Sequence, residues 1–261
     1  MKYTFLSRKI LFLLSIVLFS CTPSADKMFT LMPSSVTGIN FKNPLKETEQ
    51  FNVLNYGYLY NGGGVAIGDI NNDGLSDIYF TGNMVGSRLY LNQGDFKFKE
   101  IAERAGVFAE GLWNTGTTMA DVNGDGLVDI YVCRSAAKKT ESRKNLLFIN
   151  NGDLTFTEKG KEFGVDDSGY TTQGSFFDYD NDGDLDLYVL NHSTQEYAGL
   201  GKISRHHKKQ KNKSYSDKLM RNDNGKFVDV SDEVGLISNI LGFGLGVAVS
   251  DLNNDGWLDL Y

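Results

Sequence analysis

The clearest regularity along the chain is a short apolar run, an acidic turn and a second apolar run, met four times. Gly64-Val-Ala-Ile-Gly68 leads into Asp69-Ile-Asn-Asn-Asp73-Gly-Leu-Ser-Asp77, and Ile78 and Tyr79 follow. The same order returns at Asp121–Asp129, Asp178–Asp186 and Asp251–Asp259. Each copy is followed by Ile or Leu and then a tyrosine, so that Tyr79, Tyr131, Tyr188 and Tyr261 occupy one repeat position. Short runs rich in β-branched and aromatic residues, bounded by Asp, Asn and Gly, read as strands. A second module trails the first three turns: Leu89–Asn92 to Phe98, Leu147–Asn150 to Phe156, and Leu219–Asn222 to Phe227. Asn-Gln-Gly, Asn-Asn-Gly and Asn-Asp-Asn-Gly inside those modules are hairpin signals. One repeat therefore predicts four antiparallel strands, the arithmetic of a β-propeller blade, and the expected fold class is all-β. Segments such as Glu100–Ala105 are long enough for one helical turn only, and Tyr56–Tyr60, ahead of the first repeat, are expected to supply a strand.

The acidic turn carries the candidate chemistry. Oxygen donors at positions 1, 3, 5, 7 and 9 of a tight turn converge on a cation, with position 7 contributing its backbone carbonyl and a Gly at position 6 permitting the bend. The first copy supplies Asp69, Asn71, Asp73, Leu75 and Asp77, and the second Asp121, Asn123, Asp125, Leu127 and Asp129. The third supplies Asp178, Asp180, Asp182, Asp184 and Asp186, and the fourth Asp251, Asn253, Asp255, Trp257 and Asp259. Hard oxygen ligands without Cys or His favour Ca²⁺ over zinc or copper, and Mg²⁺ prefers to keep several waters, so about four Ca²⁺ sites are expected. An EF-hand needs helices on both sides, whereas these flanks are strands. Asp, Asn and Gly also build cation-free Asx turns; four in-phase copies of clustered carboxylates argue for the ion.

Composition narrows the partners. The chain has 261 residues, 29 of them Gly, and a formal net charge of −7, so nucleic acid is not an expected partner. Two cysteines provide no disulfide framework and no zinc spacing. There is no His-Glu-x-x-His and no Gly-x-Ser-x-Gly, and nearly every aspartate able to act as an acid or base is already committed to a turn, so no catalytic residue is assigned. A basic insertion, with Lys202, Arg205, His206, His207, Lys208, Lys209, Lys211 and Lys213, reads as a solvated loop, with anion binding as the alternative. The repeated tyrosines read as packing between sheets, while Trp257, in a turn, is a candidate for stacking on a sugar.

The amino terminus reads as an address. Lys2, Arg8 and Lys9 precede an uncharged apolar run from Ile10 to Phe19, too short to span a bilayer but suited to a secretory leader. Leu18-Phe19-Ser20-Cys21 resembles a bacterial lipobox, which makes Cys21 the expected lipidation site of an exported outer-membrane lipoprotein, at the cell surface or the periplasmic face. The expected organisation is a signal peptide at 1–20, a tether at 21–35 and propeller repeats at 36–261, with membrane contact through the lipid anchor alone.

These turns and flanks resemble FG-GAP or VCBS repeats, the calcium-loop blades of integrin α-subunit propellers. Tyr60-Asn-Gly-Gly-Gly-Val-Ala-Ile-Gly-Asp69, Trp113-Asn-Thr-Gly116 and Phe176-Phe-Asp-Tyr-Asp180 are similar to exported VCBS-repeat lipoproteins of the cartilage-acidic-protein type. The resemblance implies about seven blades, so the chain, which stops within its fourth repeat, is expected to be an amino-terminal fragment. It also implies a non-enzymatic calcium-binding module for protein or glycan ligands; the alternative is the propeller part of a larger enzyme acting on polysaccharide or phosphoester. One departure stands out. Gly64, Gly116 and Gly246 lie five residues before their turns, but the third copy has Gln173 there, which predicts a local change in strand geometry.

Overall fold

The computed structural model describes residues 28–110, 113–194, 210–237 and 239–261. The chain falls into two units, Met1–Pro33 and Ser34–Tyr261. Of the first, residues 28–33 are exposed and carry no helix or strand. The leader, Cys21 and the insertion up to Lys209 lie outside the described residues.

The second unit is all-β. Strands β1 (Val65–Gly68), β2 (Asp77–Phe80), β3 (Arg88–Asn92) and β4 (Phe98–Glu100) form one sheet in chain order. β5 (Asn114–Ala120), β6 (Asp129–Arg134), β7 (Leu146–Asn150) and β8 (Phe156–Glu158) form the next. β9 (Thr171–Phe177), β10 (Asp186–Asn191), β11 (Lys218–Asn222) and β12 (Phe227–Asp229) form the third, and β13 (Val249–Ser250) pairs with β14 (Asp259–Leu260). Every pairing is antiparallel, and the acidic turn always joins the first strand to the second. These are propeller blades, and the sheets do not close into a ring. One-turn helices at Ala102–Ala105 and Gly160–Phe163 end on left-handed Gly106 and Gly164, which a glycine adopts without steric cost.

The core lies between neighbouring sheets. Ile70, Tyr79 and Leu89 of the first pack with Ile130, Val132 and Phe148 of the second. Tyr131, Cys133 and Leu147 of the second pack with Leu187, Val189 and Met220 of the third. Three of the four repeated tyrosines pack in the inter-sheet cores, as their spacing predicts. Tyr79 and Tyr131 are fully buried, and their hydroxyls donate to the carbonyls of Val107 and Val165 at 2.6 and 3.0 Å. Tyr188 donates instead to Asp217. Tyr261, on a two-stranded sheet, is 90% exposed. Cys133 is a free, buried thiol whose pKa is pushed up by burial, so it packs as a small hydrophobe.

The inner strands approach one another closely at the ends away from the acidic turns. The Gly64 amide donates to the Thr115 carbonyl at 2.8 Å, and a Cβ on Gly116 would lie 2.4 Å from the Thr172 carbonyl oxygen. Glycine is therefore required there by packing. At the third copy the departure has a structural answer: the Gln173 side-chain oxygen accepts the Val247 amide at 3.2 Å, so a side chain spans the gap that backbone closes elsewhere. The segment before the first repeat departs from expectation. Residues 51–61 form turns, not a strand, and bury Tyr56 and Leu59 beside Trp113.

Candidate metal centres

Each acidic turn is shaped before any ion is considered. Positions 4 and 6 are left-handed in all four copies: Asn72 and Gly74, Gly124 and Gly126, Asn181 and Gly183, Asn254 and Gly256. Asn and Gly are the residues that tolerate that region, which is why the turn is written with them. The carboxylate at position 1 caps the bend. Asp69 accepts the amides of Asp73 at 3.2 Å and Gly74 at 2.7 Å, and Asp121, Asp178 and Asp251 repeat this pair. Desolvation raises the pKa of Asp69, but the amides of Gly74, Asp73, Asn71 and Asn72 together bring it below its ordinary value. Asp73, Asp125, Asp182 and Asp255, at position 5, accept the position-7 amide at 2.8 to 3.0 Å.

Position 9 is the structural hinge of the motif. Asp77 is buried; one oxygen accepts the Ile70 amide at 3.0 Å and the other the Asn92 amide at 2.7 Å. Asp129 does the same with Val122 and Asn150, and Asp186 with Tyr179 and Asn222. Each oxygen keeps a second lone pair, so these aspartates hold the turn against the third strand and retain acceptor capacity. Burial, only partly offset by those amides, pushes Asp129 up to about 6.

The third turn differs in a way that bears on ligand binding. In the other three, the position-3 asparagine donates to the position-5 carboxylate: Asn71 to Asp73 at 3.0 Å, Asn123 to Asp125 at 2.8 Å and Asn253 to Asp255 at 2.9 Å. Asp180 has no proton to give. Asp178, Asp180 and Asp186 each place an oxygen within 4.8 Å of the others, and one oxygen each of Asp180 and Asp184 is buried without a hydrogen-bond partner. Burial, reinforced by Asp182, Asp186, Asp180 and Asp178, pushes Asp184 up to about 6. An orphaned buried acceptor costs on the order of 1–3 kcal/mol, more when charged. A divalent cation is the group that relieves all of these at once, and the hard all-oxygen donor set fits Ca²⁺.

The structure brings the sequence-predicted residues of each copy into one turn. The side chains of Leu75 and Trp257 are exposed, as residues that offer only a carbonyl can be. Two features escaped the sequence reading. Asp184 brings a carboxylate to a position credited only with a carbonyl, a difference visible in the third copy's five aspartates. Asn92, Asn150 and Asn222, flagged only as module ends, fasten the turns: Asn150 donates to the Ile70 carbonyl of the neighbouring sheet at 2.8 Å, and Asn222 more loosely to that of Val122 at 3.5 Å.

Four-stranded antiparallel repeats with an Asp-x-Asx-x-Asp-Gly turn between their first two strands define a class of propeller-blade protein. Within it, residues 69–132 and 136–189 match the FG-GAP-like repeat family, so that part of the chain carries FG-GAP-like repeats. It is 29% identical over 203 residues to cartilage acidic protein 1 of Xenopus tropicalis, and 27% identical to that of Homo sapiens, each match covering 77% of this chain. The protein of the same name from Mus musculus is 26% identical over 76% of the chain. The matched region is 28% of the length of these relatives. Among the described residues no helix is long and apolar enough to cross a membrane.

Proposed function

We propose that the chain is an exported, calcium-stabilised repeat module that presents a rigid surface to a protein or glycan and performs no chemistry itself. The observation that carries the calcium reading is the third turn, where three aspartates converge and two buried carboxylate oxygens lack partners. There Asp178, Asp180, Asp182 and Asp186 would hold the ion, with Asp184 adding a carbonyl or carboxylate oxygen. The first, second and fourth turns would hold Ca²⁺ through Asp69, Asn71, Asp73, Leu75 and Asp77 and their counterparts, giving about four sites. When bound, the ion supplies positive charge that cancels carboxylate repulsion and cross-links the turn. The FG-GAP-like repeats support this reading, and relatives named for cartilage accord with an extracellular setting.

The remaining assignments follow from the leader: residues 1–20 direct export, Cys21 carries the lipid that anchors the protein to the outer membrane, and 21–35 tether the propeller repeats of 36–261. Terbium luminescence tests the calcium reading. Titration is expected to give emission sensitised by nearby tyrosines and by Trp257, displaced by Ca²⁺ and insensitive to Mg²⁺ at the same concentration. Absence of sensitised emission from folded protein would overturn it. Metabolic labelling with a radioactive fatty acid tests the anchor; label that persists in a Cys21→Ala variant would remove it.

A further inference from the structure

The face opposite the acidic turns carries a cavity of different chemistry. Gly63, Thr115, Thr172 and Leu245 occupy the same repeat position, six residues ahead of each turn, and all four line one cleft of about 430 Å³. It therefore sits where the mouths of the inner strands converge. Tyr58, half-buried, and an edge of the buried Tyr56, from the segment before the first repeat, add aromatic surface. Its volume falls in the usual range for small-ligand sites, about 300–1,000 Å³.

The lining excludes whole classes of ligand. Among the described residues no Asp, Glu, Lys, Arg or His borders the cleft, in a chain with 26 basic and 33 acidic residues. Other clefts do carry charge: Asp166, Asp167 and Lys218 border one, Asp121 and Asp184 another. A charged ligand here would lose hydration without a counter-charge. The threonines narrow the class further, because their protons are already committed to backbone. Thr115 donates to the Thr171 carbonyl at 2.7 Å, Thr117 to that of Tyr131 at 2.7 Å, and Thr172 to that of Gly244 at 3.0 Å. What these hydroxyls retain is lone pairs. The fitting ligand is uncharged, rich in hydroxyl donors, and bears C–H faces that pack on tyrosine rings.

We infer that this axial cleft is a binding site for a neutral saccharide, with the threonine oxygens accepting sugar hydroxyls and the half-buried Tyr58 beside the ring. This deepens the proposed binding role by placing the glycan on the face away from the cation turns.

The test uses full-length protein in calcium and a set of neutral oligosaccharides of the gluco, manno, galacto and N-acetylglucosamine series, with uronate and sulfated oligosaccharides as charged controls. Binding is read by tyrosine fluorescence and calorimetry. Val65 and Leu245 are exposed residues on the rim, so Val65→Trp and Leu245→Trp fill the cleft without disturbing a core. Each is expected to weaken binding at least tenfold while the calcium-dependent melting temperature stays at the parent value; Asn61→Ala, at an exposed rim amide, is expected to weaken it severalfold. The inference is overturned if no neutral saccharide binds at millimolar concentration, if the charged sugars bind better, or if binding survives both tryptophans. Failure of the cation reading is separate, since it would show as a melt that ignores calcium whether or not sugar binds.

Discussion

A single exchange, Asp for Asn at position 3, sets the third turn apart. Asn71, Asn123 and Asn253 tie down the neighbouring carboxylate without help, whereas Asp180 repels it and leaves an oxygen orphaned. Asp180→Asn should therefore raise the melting temperature in EDTA, recovering on the order of 1 kcal/mol, and weaken terbium binding by about tenfold at this turn, a loss of roughly 1.4 kcal/mol. An unchanged affinity would mean that the charge of Asp180 contributes nothing to binding. His192 makes a second residue-scale case. Its Nδ1 faces the Ser193 carbonyl at 3.0 Å and so carries the proton, leaving Nε2 to accept from Ser135 at 3.0 Å, while Tyr56 donates to Ser135 and Tyr58 stacks on the ring. Burial pushes its pKa down to about 4, against the opposing Ser193 bond. Because the folded value lies below the ordinary value of about 6.5, the unfolded chain binds the extra proton first. The stability this neutral ring contributes is intact above pH about 6.5, is lost as pH falls toward 4, and amounts at most to about 3 kcal/mol. His192→Gln should flatten the dependence of stability on pH across that window relative to the parent; parallel curves would refute a buried neutral histidine.

Between elements, the turns touch one another unevenly. Asn72 of the first donates to the Gly126 carbonyl of the second at 3.0 Å, and Asn181 of the third reaches toward Gly256 of the fourth at 3.5 Å. The second turn has Gly124 at that position and no arm to extend. Gly126 directly precedes Leu127, whose carbonyl is a proposed ligand, so Asn72 orients a neighbour's site without belonging to it. Asn72→Ala is expected to weaken cation binding at the second turn severalfold and leave the third unchanged, as resolved by terbium titration in backgrounds retaining one turn each. Equal effects at both would show general destabilisation instead. The strands, hairpins and turns were legible in sequence because their determinants are local: alternation, Asp-Gly and Asn-Gly bends, and a Tyr after each turn. The 51–61 segment was not, because its conformation is set by partners far along the chain; Tyr56 donates to Ser135, 79 residues away, and packs beside His192, 136 residues away. The same holds for Gln173, whose role is visible only with Val247 beside it.

Across the whole molecule, the turns and the inter-sheet core form one mechanical path. A position-9 aspartate joins the turn to the amide of Asn92, Asn150 or Asn222 on the third strand, and Asn150 in turn grips the carbonyl of Ile70 in the adjoining sheet. Ile70 itself lies in the first inter-sheet core. An ion in the first turn would thus stiffen that sheet, and through Ile70 and Asn150 its junction with the next. For a Kd of about 0.1 mM in about 1 mM Ca²⁺, mass action gives about 1.4 kcal/mol per site. At about 2–4 °C per kcal/mol for a domain of this size, removal of the ions by EDTA is expected to lower the melting temperature by several degrees or more, with recovery on adding Ca²⁺ and not Mg²⁺. Location separates this from nonspecific ionic stabilisation. Amide hydrogen exchange should accelerate in EDTA at Asn92, Asn150 and Asn222, whose amides bond the position-9 carboxylates, before it accelerates at Val132 or Val189 in the buried second strands. A uniform change in exchange, or a melt indifferent to both chelator and calcium, would show that the acidic turns close by hydrogen bonds alone and that the sheets hold together through their apolar faces.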